Sequence, residues 1–135
     1  MTTLICDIVT PERQVFAEEV VFVSVPGVEG DIGILPRRAA VMSTLRPGEI
    51  RLRQTEDAEP LRFAVAGGYV ENDGSKVVVL ANRVANLADL AADEVREQRA
   101  EAARKLEAAL DDDPHKAYLR SELTWYTLLE SLLAH

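Results

Sequence analysis

Features that mark several common classes of protein are scarce or missing in this sequence. It has one cysteine, Cys6, which excludes an internal disulfide and favours a reducing compartment. No segment approaches the ~20 consecutive apolar residues that span a bilayer. The first residues, MTTLICDIVTPE, lack a basic start and a continuous apolar core, so no signal peptide is predicted. We therefore expect a cytosolic protein whose membrane association, if any, occurs through partners.

The sequence also has few basic residues and few of the residue patterns typical of catalytic sites. There are 15 Lys and Arg residues against 23 Asp and Glu, a net charge of −8, which argues against binding to nucleic acid or to an anionic membrane surface. The two histidines, His115 and His135, have no metal-ligand spacing around them, and no Gly-x-Ser-x-Gly occurs. The sequence thus predicts no catalytic residues, no metal site and no cofactor.

The residues that are present divide the chain near Asn86. All 7 glycines lie before this point, and Ala, Leu, Glu and Arg dominate after it. The first part contains short alternating runs of apolar and polar residues, in one of which Cys6 is expected to be a buried structural thiol. Turn signals such as Asn72-Asp73-Gly74 separate these runs. We therefore predict a β-sandwich or flattened barrel over residues 1–86 and a helical domain over residues 87–135.

The run from Val23 to Ala40, VSVPGVEGDIGILPRRAA, has glycine at every third position between Pro26 and Pro36. Because glycine has no Cβ, such a segment can turn tightly or approach a partner closely. It lacks the Lys-Ser/Thr pair and the following helix of a phosphate-binding loop. The pattern predicts a shaped, partly apolar surface loop and favours a docking subunit of a larger assembly over a free-standing enzyme.

The helical part is predicted to contain two helices separated by a break. The first has one apolar stripe, and the second is more apolar. In the break, Asp113 is predicted to cap the second helix with Pro114 at its first position, and a metal-binding role for the neighbouring aspartates is disfavoured. The surface of the second helix is expected to dock on the β domain, on another subunit or on both in turn, with a tight hairpin as the alternative. The residues of the first stripe are Leu87, Ala91, Val95, Ala102, Leu106 and Ala109, and those of the second helix are Tyr118, Leu119, Leu123, Trp125, Tyr126, Leu128, Leu129, Leu132 and Leu133.

Several motifs, taken in order, resemble the epsilon subunit of the F-type ATP synthase (delta in mitochondrial naming), and the resemblance covers essentially the whole chain. The most specific is the glycine-rich run, which matches the family signature closely. The matching segments are DIVTPERQVF at residues 7–16, PGVEGDIGILP at 26–36, LRPG at 45–48, AGGYVE at 66–71 and VVVLA at 77–81.

This resemblance implies an α+β fold with an N-terminal antiparallel β-sandwich of about ten short strands and a C-terminal α-helical hairpin. It implies a non-catalytic subunit of the central stalk that links the gamma subunit to the c-ring and couples proton translocation to ATP synthesis. The expected location is the cytoplasmic face of the bacterial plasma membrane, as a peripheral part of the complex. In bacterial and chloroplast members the C-terminal helices can extend along gamma, contact the alpha/beta catalytic head and restrain ATP hydrolysis.

The resemblance also implies which residues meet each partner. Glu29, Gly30 and Asp31 match the loop that faces the c-ring, and a solvated loop acid is the alternative role of Asp31. Arg38, which stands where the family usually has histidine, and Met42 lie on the gamma side.

In the tail, Arg99, Trp125 and Leu129 are the expected regulatory residues. Some bacterial members bind ATP through Ile-Asp-x-x-Arg-Ala on the first helix, and this chain has Val95-Arg96-Glu97-Gln98-Arg99-Ala100 there. Arginine replaces the aspartate, so we expect Arg99 to be an ion-pair partner and ATP binding to be weak or absent. A nucleotide-sensing module is nevertheless the alternative function, and a small β-barrel enzyme is the third.

Overall fold

A computed structural model describes residues 2–37 and 39–134, and the chain divides into two compact units, Met1–Ala88 and Asp89–His135. The first unit is built from β-strands, and the second contains two helices, which confirms the predicted fold class. The ten strands within the described residues are β1 (Leu4–Val9), β2 (Gln14–Val20), β3 (Phe22–Gly27), β4 (Gly30–Ile34), β5 (Val41–Leu45), β6 (Gly48–Arg53), β7 (Leu61–Val65), β8 (Gly68–Asn72), β9 (Lys76–Ala81) and β10 (Val84–Asn86).

The strands form one continuous set of ladders that folds over itself as a β-sandwich close to a barrel. The order is β10-β7-β6-β3-β5-β8-β9-β1-β2, with β4 paired to β3 outside this path. Every pairing is antiparallel except that of β1 with β9. Strand β3 joins the two layers, since its first residues pair with β6 and Gly27 pairs with Leu45 on β5.

The core follows the period-two pattern of the sequence. Along β1 the side chains of Leu4, Cys6 and Ile8 are buried, and those between them face outward to differing degrees. Phe16 and Phe63 meet edge to face inside the core, with ring centroids 5.8 Å apart. Since alternate residues of a strand point to opposite faces, one half of each strand fills the sandwich and the other half forms its surface.

The hairpin predicted at Asn72-Asp73-Gly74 is confirmed between β8 and β9. The Oδ1 atom of Asp73 accepts hydrogen bonds from the backbone N–H groups of Ser75 at 2.9 Å and Lys76 at 3.0 Å. These bonds favour the ionised carboxylate and lower the pKa of Asp73 below its ordinary value of 3.8.

The glycine-rich run is only in part the shaped surface loop that its composition predicts. Strands β3 and β4 occupy most of it as a tight antiparallel hairpin, in which Pro26 lies opposite Asp31 and Gly27 opposite Gly30. Over residues 23–34 the loop prediction was wrong because β3 and β4 pair along this segment, and pairing outweighs the low strand propensity of its glycines and proline. Non-strand backbone is found at Val28 and Glu29 and, among the described residues, at 35–37 and 39–40 before β5 begins.

In the second unit, α1 spans Ala92–Ala108 and α2 spans Lys116–Leu133, and the two helices pack against each other. Leu87, predicted to belong to the first apolar stripe, lies instead in a short 3₁₀ turn at Leu87–Asp89. Val95 and Ala102 are the buried residues of α1.

Helix α2 also begins two residues later than predicted. Its N-cap is His115, and neither Asp113 as the cap nor Pro114 as the first helical residue is observed. The Oδ1 atom of Asp113 accepts a hydrogen bond from the His115 N–H at 2.8 Å, and its carbonyl accepts one from the Lys116 N–H at 3.1 Å. Asp113 therefore closes the turn before the helix, because its short side chain bonds the backbone two residues on.

Candidate partner-binding surfaces

The β3–β4 turn places three of the predicted site residues together at one end of the sandwich. Glu29 and the neighbouring Val28 form its tip, and both side chains are exposed. Gly30 has φ +136°, a backbone conformation that side chains with a Cβ rarely adopt. Asp31 follows as the second residue of β4 and points outward.

Arg46, which sequence reasoning did not select, holds this turn from the adjacent β5–β6 connection. Its Nη1 donates to the Gly27 carbonyl at 2.5 Å, and its Nη2 donates to Asp31 Oδ1 at 2.6 Å. The two contacts span both strands of the hairpin, as the forked guanidinium allows. Pro47-Gly48 after Arg46 is a turn signal in the sequence, but nothing in the spacing links the Arg46 side chain to residue 31.

Backbone hydrogen bonds join the same two connections. The Arg46 N–H donates to the Pro26 carbonyl at 2.9 Å, and the Val28 N–H donates to the Thr44 carbonyl at 3.1 Å. Together with the guanidinium, these bonds fix the direction in which the tip leaves the sheet.

Met42 lies on the outward face of β5 and is 65% exposed. The ladders continue this face across the sheet, where Thr44 of β5 is opposite Tyr69 of β8 and Tyr69 is opposite Leu80 of β9. Leu80 is 53% exposed. The result is a partly apolar surface, here called the Met42 face, which contains Met42, Tyr69 and Leu80, with the exposed Glu71 directly opposite Met42.

The other residue predicted on the gamma side, Arg38, lies outside the described residues. Its flanking segment is tied to the β8–β9 turn. The Arg37 N–H donates to the Gly74 carbonyl at 2.9 Å, and Asn72 Nδ2, which is buried, donates to the Ala39 carbonyl at 3.5 Å. Arg37 itself has φ +62°.

In the helical unit the three predicted tail residues take two different roles. Arg99 Nε forms an ion pair with Glu130 Oε2 at 3.0 Å, which joins α1 to α2 and confirms the expected ion-pair role of Arg99. Trp125 is 5% exposed and Leu129 is 2% exposed, so neither offers a surface to a partner in this conformation.

Within residues 2–37 and 39–134, no group of three or more His, Cys, Asp and Glu side chains is placed to hold a metal ion. In the acidic run before α2, Asp111 Oδ1 forms an ion pair at 2.9 Å with Nζ of Lys116, the first residue of that helix. The helices in this part of the chain are too short or too polar to cross a membrane.

Comparison with known proteins points to one family. The family model described as ATP synthase, Delta/Epsilon chain, beta-sandwich domain matches residues 3–87. The chain is 36% identical over 135 residues to the ATP synthase epsilon chain of Halorhodospira halophila, covering 98% of this chain and 96% of that one. It is 46% identical over 109 residues to the ATP synthase epsilon chain of Herpetosiphon aurantiacus, covering 78% and 74% of the two chains.

Two solved structures share the fold. One is a chain of the Euglena gracilis mitochondrial ATP synthase, described as OSCP/F1/c-ring in rotational state 1, with a TM-score of 0.75 at 18% identity over 98% of this chain and 82% of that one. The other is a chain of the Tetrahymena thermophila mitochondrial ATP synthase central stalk and c-ring, with a TM-score of 0.63 at 16% identity over 98% and 97%. At these identities the likeness shows the fold alone.

Proposed function

Since the chain belongs to the ATP synthase delta/epsilon chain family, we propose that it is a non-catalytic subunit of the central stalk of an F-type ATP synthase. In this role it links the gamma subunit to the c-ring and couples proton translocation to ATP synthesis. The match of the whole β-sandwich to the family carries this proposal.

The β3–β4 turn is the part proposed to face the c-ring. Glu29, Gly30 and Asp31 project from one end of the sandwich on a hairpin whose loop has only two residues. A tight turn supported by a neighbouring connection suits contact with a moving ring, because little conformational freedom is lost when the contact forms.

The Met42 face is proposed to bind gamma, together with Arg38. An exposed methionine on the same sheet face as Tyr69 and Leu80 supplies an adaptable apolar group, and aromatic and methionine side chains are enriched at protein interfaces. This surface and the turn lie on one rigid β-sandwich, so a torque applied at one is transmitted to the other.

The helical unit is the proposed regulatory part. Extension of the hairpin along gamma would separate Arg99 from Glu130 and expose Trp125 and Leu129, which then become able to pack against the alpha/beta catalytic head. The bases of α2 are Lys116 and Arg120, and Lys116 is already paired with Asp111, so apolar contacts carry most of any inhibition.

The complex is proposed to place this chain at the cytoplasmic face of the bacterial plasma membrane, as a peripheral component. Attachment to the membrane then depends on the c-ring and not on an inserted segment of this chain.

The experiment that tests the proposal is reconstitution with the cognate catalytic head lacking this subunit. We would add either the full chain or a version that ends at Ala88, the last residue of the first unit, and measure both binding and ATP hydrolysis. We expect both to bind, and only the full chain to slow hydrolysis if its tail is a brake. Binding without slowing by either would leave coupling as the role, whereas binding by neither would overturn the stalk proposal.

A further inference from the structure

Arg46 bridges the two strands of the β3–β4 hairpin beside its turn through its guanidinium group. In the described part of the chain, it is the one residue whose side chain does so. We propose that Arg46 is a positioning residue for the ring-side contact, and that Glu29 makes this contact while Asp31 acts through Arg46 to shape the turn. This inference rests on the proposed function of the β3–β4 turn.

The two acids of the turn differ in what surrounds them. The carboxylate of Asp31 accepts a charge-assisted hydrogen bond from Arg46 Nη2 at 2.6 Å, so its charge is compensated within the chain. Glu29 is exposed at the tip and forms no ion pair with the residues that the structure describes. Glu29 is thus the acid left available to a basic or hydrogen-bond-donating group of the ring.

The conformation of the turn explains why it needs this support. The backbone bonds from Arg46 N and Val28 N hold the β3 side of the hairpin against the β5–β6 connection. The β4 side begins at Gly30, where φ is +136° and the absence of a Cβ leaves the backbone permissive. In addition to the backbone ladder between β3 and β4, the bond from Arg46 to Asp31 is a side-chain contact that restrains β4 one residue after Gly30.

The geometry also distinguishes arginine from lysine at this position. The guanidinium reaches an acceptor on each strand at once, Gly27 O and Asp31 Oδ1, through two separate nitrogens. A lysine ammonium would keep the charge but lacks the planar fork that fits both acceptors together.

The test uses the full chain bound to its gamma subunit, with the affinity for detergent-purified c-ring as the readout. We expect Arg46→Gln to weaken ring binding roughly two- to fivefold, because solvent screening limits an ion pair as exposed as Arg46–Asp31 to about 1 kcal/mol. Asp31→Asn should give a similar loss, and the double variant should be no weaker than either, because the two residues act as one unit. Glu29→Gln should weaken binding as well, and its effect should add to that of Asp31→Asn.

Arg53→Gln is the matched control. Arg53 also donates to a backbone carbonyl at the tip of a hairpin, Ala58 O at 3.2 Å, but on the β6–β7 connection. We expect Arg53→Gln to bind the ring like the unaltered chain. Arg46→Lys should fall between Arg46→Gln and the unaltered chain, which keeps the test informative if the glutamine variant folds poorly.

Two further measurements distinguish a positioning role of Arg46 from a general contribution to stability. They are the affinity for gamma and the thermal unfolding midpoint. Both should stay at the unaltered values in Arg46→Gln, whereas general damage to the sandwich would change them along with ring binding. Ring binding by Arg46→Gln equal to that of the unaltered chain, or additive losses for Arg46→Gln and Asp31→Asn, would overturn this inference alone. Failure of the unaltered chain to bind the ring would overturn the proposed function and the inference with it.

Discussion

Cys6 is enclosed on all sides by the β-sandwich, and its side chain has no exposed surface. Burial, with a smaller contribution from the neighbouring Asp7 charge, raises the pKa of its thiol from the ordinary 9.0 to about 12. Because the thiolate is the nucleophile, the folded protein holds this cysteine in its unreactive form at neutral pH.

We predict that Cys6 in the folded chain reacts with a chromogenic disulfide reagent at pH 8 at least about a thousandfold more slowly than an exposed thiol. The raised pKa alone accounts for a factor of about a thousand, and the lack of access adds to it. Adding Asp57→Cys, at the exposed β6–β7 tip, provides the control and should introduce one fast-reacting thiol. Equal rates for the two thiols would show that the sandwich opens readily, which its buried core argues against.

At the scale of elements, packing and charge contribute very differently to the α1–α2 hairpin. Leu129 is buried, whereas Arg99 and Glu130 form their ion pair with side chains that are 37% and 39% exposed. Solvent screening limits an ion pair of this exposure to about 0.2–1 kcal/mol, while truncating a buried leucine costs about 2–5 kcal/mol. Apolar burial is thus the main force that holds α2 in place.

We predict that Leu129→Ala accelerates hydrogen exchange of the α2 amides by roughly 30-fold or more, and that Arg99→Gln accelerates it by less than about fivefold. The measurement is native-state hydrogen exchange of the full chain, resolved by helix. If Arg99→Gln has as large an effect as Leu129→Ala, the ion pair and not the packing controls the opening of the hairpin.

At the scale of the whole molecule, the chain joins a β unit to a helical unit. In the helical unit, the segment that corresponds to the ATP-binding motif of some bacterial family members is altered. Arg96 stands at the acidic position of the motif and pairs with Asp93 at 3.2 Å, and Arg99 is occupied by Glu130. A nucleotide would have to displace an existing ion pair while gaining few cationic contacts, because the bases of α2 are limited to Lys116 and Arg120.

We therefore predict no saturable binding of ATP in the micromolar range. The check is a titration of the full chain with ATP, followed by the fluorescence of Trp125, the only tryptophan of the sequence. Arg99→Gln should give the same flat titration, since Arg99 is not expected to serve a nucleotide. Saturable micromolar binding that is lost in Arg99→Gln would instead support the nucleotide-sensing alternative.

Alternation and periodicity determined much of the architecture by themselves. The burial of Cys6, the hairpin at Asn72-Asp73-Gly74 and the change from strands to helices all follow from local chemistry, because side-chain period and turn propensity act over a few residues. Family motifs added the strand count and the turn that carries Glu29, Gly30 and Asp31.

Tertiary structure decided what depends on residues far apart in the sequence. Residues 23–34 of the glycine-rich run form a hairpin because β3 pairs with both β4 and β6, which outweighs the loop propensity of the glycines and of Pro26. The partner of Asp31 is Arg46, 15 residues away, and that of Arg99 is Glu130, 31 residues away. Such pairs form only once the chain has folded, since neither spacing nor charge order selects one partner from the 15 basic and 23 acidic residues of the sequence.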